Sequence, residues 1–164
     1  MLVLRSDHPE GARRPLLPRS HRCACRETGE LEFYARIRVA PAGESARDLR
    51  NAAADLLCAW GSGDLVDTVK LLLSEIFTNA VRHAATGPSG TPGRIRATLC
   101  QSRDSLTVNV EDPGSGLPSV RFVRDPGPDA ENGRGLLLLE ALASAWGTRT
   151  TRRGKTVWFA LRRA

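Results

Sequence analysis

The sequence predicts an α+β protein, a two-layer sandwich in which helices pack on one face of a mixed, mostly antiparallel sheet. Three observations lead there. Stretches that alternate apolar and polar residues stand at 32–39, 94–112 and 148–163, with the period of two expected of half-buried strands. Between them lie stretches with apolar residues every third or fourth position, the period of a helix with one buried side. The resulting order, β, α, α, β, β, loop, α, β, β, interleaves strands that can pair as hairpins with helices that must share a face.

Each element has its own local reason. Residues 1–30 contain Pro9, Pro15 and Pro18, many arginines and no periodicity, so they are expected to be a disordered N-terminal extension before a single domain at 31–164. In "EFYARIRVA", Phe33, Ala35, Ile37 and Val39 alternate with Glu32, Tyr34, Arg36 and Arg38. Pro41 then opens a helix that reaches about Trp60, with Leu49, Ala53, Leu56 and Leu57 on one side and Gly61 to Gly63 as the stop. Asp64 is placed to cap the next helix, which runs to about Ala84 on a stripe of Val69, Leu72, Leu73, Ile76, Phe77, Ala80 and Ala84. After "TGPSGTPG", the segments "RIRATLCQS" and "SLTVNVED" form a hairpin around Arg103 and Asp104. Residues 117–134, with Pro118, Pro126, Gly127 and Pro128, make a connection long enough to be either functional or disordered. A helix resumes at Gly135, runs through "LLLLEALASAW" and is closed by Gly147. "TRTTR" and "KTVWFALRR" are the last two strands, turning at Arg153 and Gly154.

Composition bounds the function. With 164 residues, 41% hydrophobic and 26% charged, the chain can build one ordinary core. It has no apolar run near the ~20 residues of a membrane helix and no signal-peptide core in "MLVLRSDHPEGARRP", so a cytoplasmic protein with no membrane partner is expected. The net charge of +6 favours anionic partners without choosing among them. Aromatic residues make up 5%, low for a single-strand stacking platform, and no zinc-finger, RNA-recognition or basic-zipper pattern appears. Direct DNA binding is therefore not expected. Of the four cysteines, only Cys23 and Cys25 are close together, with His21 nearby. They lack the paired second half of a structural zinc site, and free thiols in a reducing compartment are the preferred reading over a labile metal site.

Three motifs carry chemistry. Glu75, Asn79 and His83 recur every fourth residue in "SEIFTNAVRH", which stacks a carboxylate, an amide and an imidazole on one helix face. The plainer reading of that ridge is a solvated stripe. Asp112, Gly114 and Gly116 stand in "DPGSG" where a strand runs into a loop; a carboxylate there can accept from an exocyclic amine, and glycines let backbone lie close to a ligand. Gly133, Arg134, Gly135 and Leu136 open a helix, where free N–H groups and the positive dipole end suit phosphate. Each motif alone would more often be a turn than a site, but the three in this order support one another.

At these residues the chain resembles the GHKL ATPase superfamily, which has the Bergerat, or histidine-kinase-like, nucleotide-binding fold. The resemblance covers residues 33–163, with "EIFTNAVRH" similar to the family's N box, "DPGSG" to its first glycine box and "GRGL" to its second. "GRGLLLLEALASAWG" and "GKTVWFAL" are more similar to one branch, the bacterial anti-sigma-factor serine/threonine kinases and their small ATP-binding relatives. The resemblance implies ATP and Mg2+ as cofactors, with Asn79 as the magnesium ligand and Glu75 as the general base. It implies that His83 lies near the phosphates and that Asp112 accepts from the adenine amine, with Gly114 and Gly116 letting the base approach. Gly133, Gly135 and Leu136 would cradle phosphate, and Arg134 would neutralise charge on the transferring group. Thr156 would support the adenine side, against the plainer reading of an ordinary strand threonine.

Two classes of function stay open. One is an anti-sigma-factor kinase that sequesters a sigma factor and phosphorylates an antagonist protein. The other is a catalytically silent ATP-binding module that sequesters a regulator or works within a larger complex. A homodimer is compatible with either.

Overall fold

The computed structural model describes residues 5–7, 31–83, 93–112, 134–151 and 154–164. Its strands are β1 (Arg5–Asp7), β2 (Leu31–Val39), β3 (Ile95–Ser102), β4 (Ser105–Asp112), β5 (Ala145–Thr151) and β6 (Gly154–Arg162); its helices are α1 (Ser45–Ala59), α2 (Val66–His83) and α3 (Arg134–Leu142). The strands form one sheet of order β1-β2-β3-β4-β6-β5. Every described pairing is antiparallel, so a sheet expected to be mostly antiparallel is wholly so in its described part. The chain's path explains this. Two helices separate β2 from β3, so α1 carries the chain back along the sheet, α2 returns it, and β3 starts beside the end of β2, with Ile95 opposite Val39.

Register sets one face of the sheet against the helices. Ala35, Ile37 and Val39 of β2 stand opposite Leu99, Ala97 and Ile95 of β3. These lie beside Val108 and Val110 of β4 and Phe159 and Val157 of β6. Onto that face α1 buries Leu49, Ala52, Ala53 and Leu57, and α2 buries Val69, Leu72, Leu73, Ile76, Phe77 and Ala80. Full burial of one such large side chain stabilises by about 1.5–3 kcal/mol. Phe77, 1% exposed, is the single truncation most damaging to this layer, because a Phe-to-Ala cavity costs about 3–5 kcal/mol. Phe33 stacks on Trp60 with ring centroids 5.5 Å apart, closing the core where α1 ends.

Several boundaries differ from the sequence expectation. Pro41 does not open α1; residues 41–44 form a bend and turn, and the helix begins at Ser45. Asp64 does not cap α2 but lies exposed in a short 3-10 turn, Gly63–Leu65, that leads into it. The stop after α1 is Gly61, at φ 73°, a left-handed conformation that glycine adopts without steric cost. The third helix is shorter than expected. It ends at Leu142, and Ala145, Trp146 and Gly147 belong to β5. The Ser144 amide donates to the Ala160 carbonyl, which starts the strand pairing. Gly147 faces Trp158, and a Cβ there would sit 3.0 Å from the indole Nε1, so this glycine is set by close strand packing and not by a helix end.

Within residues 1–30, Arg5–Asp7 form β1 along the edge of β2, with Ser6 opposite Ala35. The exposed backbone of an edge strand invites such pairing. Residues 8–30, with His21, Cys23 and Cys25, lie outside the described residues, as do the loop at 84–92 and the long connection at 113–133.

The sheet end at which α1 stops is closed by a polar network. Ser62 donates to Gln101 Oε1 at 2.9 Å, and Gln101 Nε2 donates to the Trp60 carbonyl at 3.0 Å. Arg163 Nε donates to Ser62 Oγ at 2.9 Å, while Arg163 Nη1 reaches the Ser102 carbonyl at 2.7 Å and Glu32 at 3.1 Å. The last strand is thereby fastened to the turn between α1 and α2.

Candidate functional site

Beside its apolar stripe, α2 carries Glu75 and Asn79, one turn apart and both half-buried. Among the described residues neither makes a hydrogen bond or ion pair. They do not face open solvent as a solvated stripe would. A Cβ added to Gly135, in the first turn of α3, would lie 3.3 Å from Glu75 Cβ, 3.4 Å from Glu75 Oε2 and 3.5 Å from Asn79 Nδ2. The start of α3 therefore packs close to the carboxylate and the amide, and a side chain at position 135 would be accommodated only if Glu75 gave way by a few tenths of an ångström.

The chemistry of that junction follows from what a helix start offers. Its first N–H groups have no acceptor within the helix, and the aligned peptide dipoles leave partial positive charge there. An anionic group can be held by those N–H groups. A hard cation can be held by an amide oxygen, and a proton can be taken by the carboxylate.

A second part of the site lies at the far end of β4. Asp112 is 7% exposed and stands on the helix-facing side of the sheet, two residues beyond buried Val110. α2 packs over β3 and β4 and runs toward that end. A carboxylate so withdrawn from water must be met by donors or positive charge.

The structure thus brings Glu75, Asn79 and Gly135 together and sets Asp112 on the same face of the sheet. It does not bring Thr156 there. Thr156 pairs with Glu111 on β4 and Arg149 on β5, and strand alternation puts those three on the face away from the helices. The residue opposite Asp112 is Lys155. Counting back by two from the apolar Phe159 and Val157 would have found Lys155 in the sequence. His83 ends α2, and Arg134 and Leu136 flank Gly135 in α3, but their side chains lie outside the described residues. Gly114, Gly116 and Gly133 also lie outside them.

Neither described cysteine joins the site. Cys58 is exposed on α1 and Cys100 is buried in β3. Burial pushes the Cys100 thiol up to about 12, against the opposing pull of Arg36. Among the described residues no group of three or more His, Cys, Asp or Glu side chains could hold a metal ion. No described helix is long and apolar enough to cross a membrane.

These features define a class. Residues 39–161 match the histidine kinase-like ATPase domain, and the chain belongs to that family. Among curated proteins, it is 31% identical over 86 residues to the serine-protein kinase RsbW of Bacillus pumilus, a match covering 47% of this chain and 53% of that protein. It is also 36% identical over 78 residues to an uncharacterised protein of Streptomyces coelicolor, covering 46% of this chain and 67% of the other. The matched stretch thus spans about half the length of the kinase relative.

Proposed function

We propose that this chain is an ATP-dependent serine/threonine kinase of the anti-sigma-factor type. In this reading it sequesters a sigma factor in the cytoplasm and phosphorylates an antagonist protein. The observation that carries it is the packing of Gly135 on Glu75 and Asn79. An unpaired carboxylate and amide against a helix start are the donor set that a magnesium-bound triphosphate needs, and the missing Cβ leaves room for its close approach. The likeness to a serine-protein kinase supports the choice of kinase.

Bound magnesium and ATP would supply the electrophilic γ-phosphorus and screen its charge. Asn79 would hold the cation through its amide oxygen, and Asp112 would orient the base by accepting from its amine. Glu75, one turn before Asn79, would take the proton of the attacking serine hydroxyl. The serine oxygen would then be free to accept the γ-phosphoryl group, with ADP as the leaving group. The antagonist gains roughly −1.5 to −2 charge, which changes its contact with the kinase.

Labelled ATP, with partners recovered from native lysate and the phosphosites mapped, tests this. A general base contributes about 10²–10⁴-fold to rate, so Glu75→Gln is expected to lower phosphotransfer by that range while ATP affinity changes little. If wild type binds ATP but labels no protein, the chain is a silent nucleotide-binding module. Transfer at the wild-type rate by Glu75→Gln removes Glu75 from the chemistry.

A further inference from the structure

The face of the sheet away from the helices gathers arginines at one end. Arg38 of β2 stands directly opposite Arg96 of β3, Arg96 stands opposite Glu111 of β4, and Arg36 is one step back along β2, opposite Thr98. Directly opposed residues have Cβ atoms about 4.5–5.5 Å apart and diagonal neighbours lie about 7–8 Å apart, so the three guanidinium groups share one patch. Like charges so placed repel. Glu111 is taken by Arg96, while Arg36 donates to the Tyr34 hydroxyl and lies over the Tyr34 ring, 5.7 Å from its centroid. Arg38 is exposed and has no ion pair or hydrogen bond among the described residues. Arg36 Nε and Arg96 Nε are closed off from water without an acceptor. At the positions opposite Arg36 and Tyr34, β1 brings Arg5 and Asp7, one charge of each sign. Three cations of this patch thus meet one carboxylate, and two of them have already lost part of their hydration.

An anion placed among these groups relieves their repulsion, and it gains more beside a partly desolvated cation than beside a fully wet one. A guanidinium fork matches a carboxylate, as the Arg96–Glu111 pair shows on this face. A single-stranded nucleic acid also needs rings on which bases stack. Tyr34, the ring beside the patch, has its face covered by Arg36. An anionic membrane surface also needs apolar side chains that enter it, and the exposed large apolar residues described, Leu71, Leu137 and Leu142, are on the helices of the other layer. Alternate residues of one strand are about 6.5–7 Å apart, which is the spacing of Arg36 and Arg38 and equally that of carboxylates at every second residue of an extended peptide. We propose that this face docks an acidic, extended segment of a partner protein, whose carboxylates are held by Arg36, Arg38 and Arg96. The surface lies on the side of the sheet away from Glu75 and Asn79 and does not depend on the nucleotide reading.

Fluorescence anisotropy with a labelled peptide that alternates Glu and Thr, and with its counterpart carrying Gln for Glu, tests it on wild type, Arg38→Glu and Arg103→Glu. Arg103 is exposed in the turn between β3 and β4, at the opposite end of the sheet, so its reversal changes the net charge equally outside the patch. Circular dichroism shows that each variant is folded. Wild type is expected to bind the Glu peptide roughly tenfold or more tightly than the Gln peptide, the factor of a charge-assisted hydrogen bond. Arg38→Glu is expected to lose roughly tenfold or more on the Glu peptide, because it sets like charges against each other, while Arg103→Glu stays within about twofold of wild type. Equal binding of the two peptides by wild type overturns the proposal, as does equal weakening by the two variants, which marks a diffuse charge effect. It is also overturned if oligothymidylate or phosphatidylserine vesicles bind through Arg38 more tightly than the Glu peptide does. A dimer on size-exclusion chromatography that Arg38→Glu separates overturns it as well, since the face then belongs to a second copy of the chain.

Discussion

The two ends of the sheet use polar residues in opposite ways. At the end where α1 stops, Ser62 and Gln101 are 1% and 0% exposed, and both are bonded within the chain, to each other, to the Trp60 carbonyl and to Arg163. At the other end Glu75 and Asn79 are half-buried and unpaired among the described residues. A buried polar group contributes to stability only when its partners are present. The closed end is therefore architecture, and in the proposed reading Glu75 and Asn79 at the other end keep their hydrogen-bonding capacity for a ligand.

Substitutions that sharpen this contrast act on one end and spare the other. The largest effect is expected from Gly135→Val. Even a single Cβ there is 3.3 Å from Glu75, so a branched side chain must move α3 off the ridge, and a displacement of about 1 Å can cost about 10²-fold in rate. Phosphotransfer should fall by about that factor; transfer at the wild-type rate would show that α3 does not bear on the chemistry.

Gln101→Ala should act in the reverse sense. It strands Ser62 and the Trp60 carbonyl, so chemical denaturation should show a loss of about 1–3 kcal/mol, with ATP affinity unchanged in the protein that remains folded. A large drop in ATP affinity without loss of stability would break the division between the two ends. Gly147→Ala tests the β5 boundary. Its methyl would meet the Trp158 indole at 3.0–3.1 Å, and overpacking of this kind costs typically about 1–3 kcal/mol.

The smallest effect is expected from Thr156→Val. Its hydroxyl lies on the face away from Asp112, so ATP affinity should stay within about twofold of wild type, well under the tenfold that 1.4 kcal/mol represents. A tenfold loss on titration would restore Thr156 to the nucleotide side.

Much of this was legible in the sequence because it rests on periodicity. The stripe from Val69 to Ala80 reads as helix, and the alternation from Phe33 to Val39 reads as strand, because a packed layer demands one apolar side from each. The ridge of Glu75 and Asn79 was legible for the same reason, as an interruption at helical spacing. What was not legible depended on contacts between distant segments. "ALASAWG" continues a helical pattern, yet pairing with Ala160 and Phe159 draws Ala145 and Trp146 into β5, an override of local preference by tertiary contact. Thr156 lies on the face away from Asp112, and its neighbour Lys155 on the same face as Asp112. In a strand, one residue exchanges the two faces, and only the register with β4 decides which side faces Asp112.

The central claim is that the open end binds magnesium-ATP through the α2 ridge. Isothermal titration of ATP into wild type and Asn79→Ala, with and without magnesium, tests it most directly. Asn79 is half-buried with no partner to lose among the described residues, so the variant should keep the wild-type unfolding midpoint. The account predicts magnesium-dependent binding by wild type and a loss of at least about 10–100-fold in the variant, the range seen when residues that support a metal are removed. Equal affinity in the two folded proteins, or binding by wild type that ignores magnesium, would contradict it.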